Sequence, residues 1–286
     1  MLRHFLPLAY PAFLASRTFL RTMGMQAPQL RVLLYHDVAP SELETFAATL
    51  RWLQKGWDFL TPAEFEEVMQ GRRALVRDSL LLTFDDGFAS NRVVAERVLQ
   101  PLGILAIFFV VAAFVDQPDI ASAHAFICKR LKAGTSPALV PAHLKNMGWK
   151  ELSCLLELGH SIGAHTTSHE RLTGDIDPGI MHSEIIDAAN RLESELSTRV
   201  RHFAFPFGDF ASFSMPAMRL AMTRFDFIHS GLRGNNYPGS MPCTIKRESL
   251  KPDDPKSLVG AFLLGASDFR YRRLNGILDS WVLSPP

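Results

Sequence analysis

What most restricts the fold of this chain is a set of seven short runs that are apolar almost throughout. They are RVLLY (31–35), SLLLTF (79–84), ILAIFFV (104–110), HSIGA (160–164), HFAFP (202–206), FDFIH (225–229) and CTIKR (243–247). A strand with one wet face alternates apolar and polar residues; several of these runs do not, which suits strands covered on both faces. Helical patterns lie between them. Leu43, Phe46, Leu50 and Leu53 predict a helix over 41–54. Leu152, Leu155 and Leu156 predict one over 149–158, stopped by Gly159. Asp177-Pro178 opens a third, with Asp as cap and Pro in the first turn. Met181, Ile185, Ala188, Leu192 and Leu196 then share a face. Strands alternating with helices argue for βα units on a parallel sheet, an α/β protein with an open sheet or a slightly irregular barrel. In both, ligands collect beyond the C-terminal ends of the strands.

The 286 residues suffice for one large α/β domain, and the formal net charge of +1 predicts no attraction to nucleic acid. Cys128, Cys154 and Cys243 form neither a CxxC pattern nor a disulfide framework, which fits a reducing compartment. Three units are expected: a basic, apolar extension over 1–29, a barrel over 30–250 with an insertion at about 116–148, and a C-terminal helix and tail over 251–286. From Met1 to His36 there is no acidic residue, while Arg3, Arg17, Arg21 and Arg31 supply positive charge. The apolar stretch from Phe5 to Ala15 is too short to span a bilayer comfortably. Three readings stand for it: a flexible or docked extension, an arm lying on a membrane surface, and a cleaved signal. The expected location is cytoplasmic or membrane-associated, with secretion still open.

Two segments carry the chemistry. LLLTFDDGFAS (80–90) drives two adjacent carboxylates to the end of a buried strand. Asp-Gly is ordinary turn chemistry, but two carboxylates in one site repel unless something positive holds them. GHSIGAHTTSHERLT (159–173) places His165 and His169 four residues apart, also after a strand. A helix beginning near Thr166 would turn both imidazoles one way. Together the segments offer two histidines and an aspartate with open positions left over, the way catalytic zinc is held. The second aspartate is then free to act as general base. In HFAFPFGDF (202–210), Pro206 and Gly208 end a strand in a tight turn. This is either a plain strand exit or a rigid wall with a backbone N–H aimed at a developing oxyanion.

These residues resemble the polysaccharide deacetylases, metal-dependent carbohydrate esterases. TFDDG (83–87) looks like their first motif and HTTSH (165–169) like their second. FAFPFG (203–208) resembles the third in a form without its arginine. The resemblance covers about residues 30 to 250 and implies an irregular (β/α)7 barrel that removes an N- or O-acyl group from a sugar. Carried over, Asp85 would be the general base, and Asp86, His165 and His169 would bind zinc or another divalent ion. The N–H of Phe207, flanked by Pro206 and Gly208, would polarise the acyl carbonyl.

The chain departs from the family in two places. Phe203 stands where the third motif often has arginine, and Arg247 at the end of the last strand is the candidate substitute. No late Leu-x-His motif supplies a general acid; His229 and His36, both at strand ends, are the candidates. The expected partner is a carbohydrate: an N-acetylated sugar, a glycan or a lipid-linked sugar. Two other readings stay open. One is a non-catalytic glycan-binding module on the same fold. The other is a metal-dependent amide hydrolase of a small substrate.

Overall fold

The computed structural model describes residues 2–23, 25 and 27–283. Eight strands make one sheet, every pair parallel: β1 (Leu30–Tyr35), β2 (Asp58–Phe59), β3 (Ser79–Phe84), β4 (Ala106–Val110), β5 (Ser161–Ala164), β6 (His202–Ala204), β7 (Phe227–His229) and β8 (Glu248–Ser249). The order is β7-β6-β5-β4-β3-β1-β8, with the short β2 beside the start of β3. The segment entering β8 also bridges back to β7 through Ile245 and His229, closing the sheet into an irregular barrel. The sequence runs at 31–35, 79–84, 104–110, 160–164, 202–206 and 225–229 all contain strands, most of them shorter than the run. The run at 243–247 makes only the Ile245 bridge, and pairing with β1 begins after it, at Glu248 and Ser249. The two-residue β2 is too short to leave a pattern in the sequence.

Period-two alternation explains why these strands are apolar on both faces. Leu30, Val32, Leu81, Ile107, Phe109, Ala204 and Phe227 point into the barrel. Leu33, Leu80, Leu82, Phe84, Phe108, Ile162 and Phe203 point out, under the surrounding helices. The foot of the barrel is plugged by the helix Pro62–Met69, whose Phe65, Val68 and Met69 join the inner core. Thr61 and Glu64 cap that helix reciprocally. Gly163 of β5 lies so close to the inner core that a Cβ there would sit 2.5 Å from the Phe109 ring. The inward sequence on β3 is Leu81, Thr83 and then Asp85, so the same alternation that builds the core aims one carboxylate down the barrel mouth.

The helices fall where the spacing predicts, at Leu43–Leu53, Trp149–Glu157 and from Pro178 to Leu196 through a π-helical turn. Asp177 caps the last by accepting from the Gly179 and Ile180 N–H groups. The excursion after β4 packs Val111, Phe114, Ala123, Ile127, Leu131, Val140 and Leu144 into a separate small core with Phe88 from the loop after β3. The C-terminal region holds two helices, Lys256–Leu263 and Arg272–Leu283. The N-terminal arm is a helix, Leu2–Thr22, with Pro7 and Pro11 inside it. No helix among the described residues is long and apolar enough to cross a membrane.

At the foot, the His160 Nδ1 accepts the Ala106 N–H at 3.1 Å, and burial lowers the imidazole from 6.5 to about 4. The unfolded chain therefore takes up a proton that the fold refuses. Stability should fall as pH drops from about 6.5 toward about 4, by about 3 kcal/mol over the window. Urea titrations across that range should show it, and His160→Asn, which keeps an acceptor without the titration, should flatten the slope.

Candidate active site

Asp85 and Asp86 leave β3 on divergent paths. Asp85 keeps the strand's inward direction, with its N–H on the Tyr35 carbonyl. Asp86 then turns at φ 76°, followed by Gly87 at φ 93°, which rotates the second carboxylate toward β5. His165 continues the inward face of β5. The expected helix after it is not formed. Instead Thr166 and His169 adopt φ of 66° and 62°, and the Thr166 hydroxyl accepts the His169 N–H. The loop, not a helical turn, brings the two rings to a centroid distance of 5.1 Å. Glu184 fixes this loop, its carboxylate accepting from the Ser168 N–H and hydroxyl.

Both imidazoles are held in one tautomer. His165 Nδ1 donates to the Ala204 carbonyl at 2.7 Å, and His169 Nδ1 donates to the Arg130 carbonyl at 3.0 Å. Each leaves an Nε2 lone pair facing the carboxylates: His165 lies 3.7 Å and His169 3.5 Å from Asp86 Oδ1. The ligand atoms of Asp86, His165 and His169 all fall within 4.8 Å of one another. Burial lowers the His165 pKa to about 4 against the pull of Asp85, so the ring is neutral at pH 7. Asp86 Oδ1 is buried without a hydrogen-bond partner, a costly condition that a cation would relieve. Two imidazoles with Nε2 turned to one gap, a buried carboxylate and an orphaned oxygen fit a divalent ion.

Asp85 has a different partner. Arg247 donates to both its oxygens, at 2.7 and 2.8 Å, and to the Ser230 carbonyl at 2.8 Å. Arg247 is wholly buried. Burial pushes the Asp85 carboxyl up. The Arg247 charge and hydrogen bonds, helped by His165 and His36, outweigh it and hold the pKa below the ordinary value. Asp85 Oδ2 also lies 3.8 Å from His165 Nε2. Phe203, where the family often has arginine, faces the outer core against Phe205 and Phe225.

The mouth opens into a groove of about 470 Å³ lined by His36, Asp86, His169, Phe207 and Lys251, with Lys132 from the excursion. His36 is exposed there. Phe207 turns at φ 61°, packs its ring 4.5 Å from that of His169 and carries Arg171 over its face. The Phe207 N–H has no acceptor among the described residues. The Pro206–Gly208 turn is tight: Gly208 donates to the Pro206 carbonyl at 2.7 Å, and a Cβ on Gly208 would meet the Gly231 backbone at 2.7 Å. His229 is not brought to the groove. Its inward ring is enclosed by Phe65, Phe109 and His202, its Nε2 bonds His202 Nδ1 at 3.0 Å, and it is fully buried. A strand-end position alone could not reveal that the ring points into the inner core. Sequence reasoning also missed Glu184 and the Arg130 carbonyl. The second is a backbone group on the excursion and leaves no side-chain signal.

A family model described as polysaccharide deacetylase matches residues 72–222. A Bacillus subtilis (strain 168) protein assigned as a polysaccharide deacetylase, YxkH, is 24% identical over 186 residues, 63% of this chain and 57% of that protein. The chain thus matches little more than half of that relative's length. Among solved structures, IcaB from Ammonifex degensii is 25% identical with a TM-score of 0.64, covering 84% of this chain and 99% of that one. The Streptococcus pyogenes deacetylase PplD, solved with acetate, shares the fold at 17% identity and a TM-score of 0.63, over 82% of this chain and 97% of its own.

The donor set has a direct test. Zn²⁺ at about a hundredfold excess over its Kd should add about 2.7 kcal/mol to stability, visible as a rise of several degrees in a thermal melt. Asp86→Ala and His169→Ala should each abolish that rise and the bound metal measured by elemental analysis.

Proposed function

The chain belongs to the polysaccharide deacetylase family, and on that premise we propose that it hydrolyses the N-acetyl group of an amino sugar within a glycan. One observation carries the reading: Asp85, Asp86, His165 and His169, from two distant segments, meet at the mouth of the barrel. Asp86, His165 and His169 would hold zinc or another divalent ion. When bound, such an ion supplies a Lewis acid and lowers the pKa of water toward about 7.

The other residues take the remaining work. Asp85, kept ionised by Arg247, accepts the proton of the attacking water. The Arg247 fork fixes that carboxylate in one orientation. The free N–H of Phe207 donates to the oxygen of the acyl carbonyl as charge develops on it. His36, exposed in the groove, gives a proton to the departing amine; the enclosed His229 has no route to it. The groove is open rather than enclosed, which supports a glycan chain over a small cyclic amide. A sugar presented at a membrane, lipid-linked or part of an envelope, is the finer form of this reading, and the acid-free N-terminal arm supports it. Three unpaired cysteines support a reducing compartment.

Asp85→Asn should retain metal and lose acetate release from N-acetylated glycans by about a hundredfold or more. Near-normal turnover would remove Asp85 from the base role. His36→Gln should depress turnover mainly for substrates with a poor leaving amine and spare activated acetate esters, because an activated alcohol needs little protonation to depart. Equal losses on both substrate types would assign His36 another role.

A further inference from the structure

The N-terminal helix has two faces. One is fixed to the barrel. Arg17 is buried and reaches Asp78 with two hydrogen bonds, at 2.6 and 3.3 Å. The Tyr10 ring meets Trp52 edge-on at 6.4 Å and fills the space over Gly260, where a Cβ would lie 2.3 Å from it. The opposite face, by helical spacing, carries Leu8, Ala12, Ala15, Phe19 and Met23. It is apolar and uncharged, with Leu8 78%, Phe19 60% and Met23 58% exposed. An exposed apolar stripe of this kind marks a contact surface.

The surroundings say what it contacts. No acid occurs between Met1 and His36. The helix lies along Lys256–Leu263, which leads into exposed Phe269 and the exposed cations Arg270, Arg272 and Arg273. The acid of that turn, Asp268, is taken by Arg31. Beside the helix, a cavity of about 520 Å³ is walled by Tyr10, Trp52 and Trp57, with Lys55 at its rim. An apolar face, amphipathic aromatic rings and exposed cations, with the nearby acids Asp78 and Asp268 already held by Arg17 and Arg31, match the interfacial layer of a bilayer rich in anionic lipid. A second copy of this chain would bring the same uncompensated cations to the contact and be repelled.

We propose that the outer face of the N-terminal helix seats on an anionic bilayer. The helix is pinned at Asp78, at the foot of β3, while Asp85 stands at the other end of that strand, about 20 Å away. The seat therefore leaves the catalytic mouth clear of the lipid. This goes beyond the deacetylase reading, and vesicle binding is read without turnover.

The full chain is sedimented with vesicles of phosphatidylcholine alone and of phosphatidylcholine mixed with phosphatidylglycerol. The protein should pellet with the mixed vesicles and be released by salt. The double variant Leu8→Asp/Phe19→Asp should lower the bound fraction about tenfold. Its melting temperature, metal uptake and acetate release from a soluble oligosaccharide should stay at the parent values. Four results would overturn the proposal: no pelleting of the parent chain, equal pelleting of the double variant, indifference to lipid charge, or a dimer in light scattering that the double variant dissolves without vesicle binding. Absence of acetate release with vesicle binding intact would count against the deacetylase reading alone.

Discussion

The structure turns on one ion pair, Arg247 with Asp85. It is buried, bidentate and completed by the Ser230 carbonyl, so both charges are compensated below the barrel mouth. It also joins the chain's two halves. Asp85 ends β3, and Arg247 belongs to the segment that bridges to β7 and then pairs with β1. Breaking a pair of this kind leaves an uncompensated buried charge, a loss of about 3–5 kcal/mol. The pair thus ties the segment that closes the barrel to the end of β3 and keeps the carboxylate ionised. A second buried cluster, Glu248 with Arg31 and Arg233, holds the adjacent residue of β8.

The division of labour between the adjacent aspartates follows from this pairing. Asp85 is committed to a guanidinium and stays ionised. Asp86, turned away by its left-handed backbone, faces the Nε2 atoms of two imidazoles and keeps an oxygen without a partner. Two identical side chains acquire different roles because the backbone rotates between them. The histidines are treated alike: each has its Nδ1 proton on a carbonyl, and one of those carbonyls belongs to the excursion after β4. That excursion also supplies Leu131 and Lys132 to the groove. It is part of the site and not a surface ornament.

The strands and most helices were legible because burial on both faces and helical spacing leave marks in composition. The four converging side chains were legible because Asp-Asp and His-x-x-x-His stand at strand ends. Arg247 was visible only as a cation near a strand end, since nothing in CTIKR says which way its side chain points. His229 shows the limit of that logic: the same kind of position leads into a closed aromatic core. The loop that carries His169 defeats a spacing argument, because its left-handed residues include Thr166, a β-branched type that rarely adopts such an angle. The Arg130 carbonyl and the two-residue β2 have no sequence signature at all.

Of the five non-glycine residues with positive φ among the described residues, four are Asp86, Thr166, His169 and Phe207. All four lie at the mouth. Each such angle costs a side chain on the order of 1 kcal/mol. The rim is thus a loaded spring, held in tension by the sturdier wall below. On warming, hydrogen exchange should quicken there before the wall yields, and an ion seated among these residues would act as the catch.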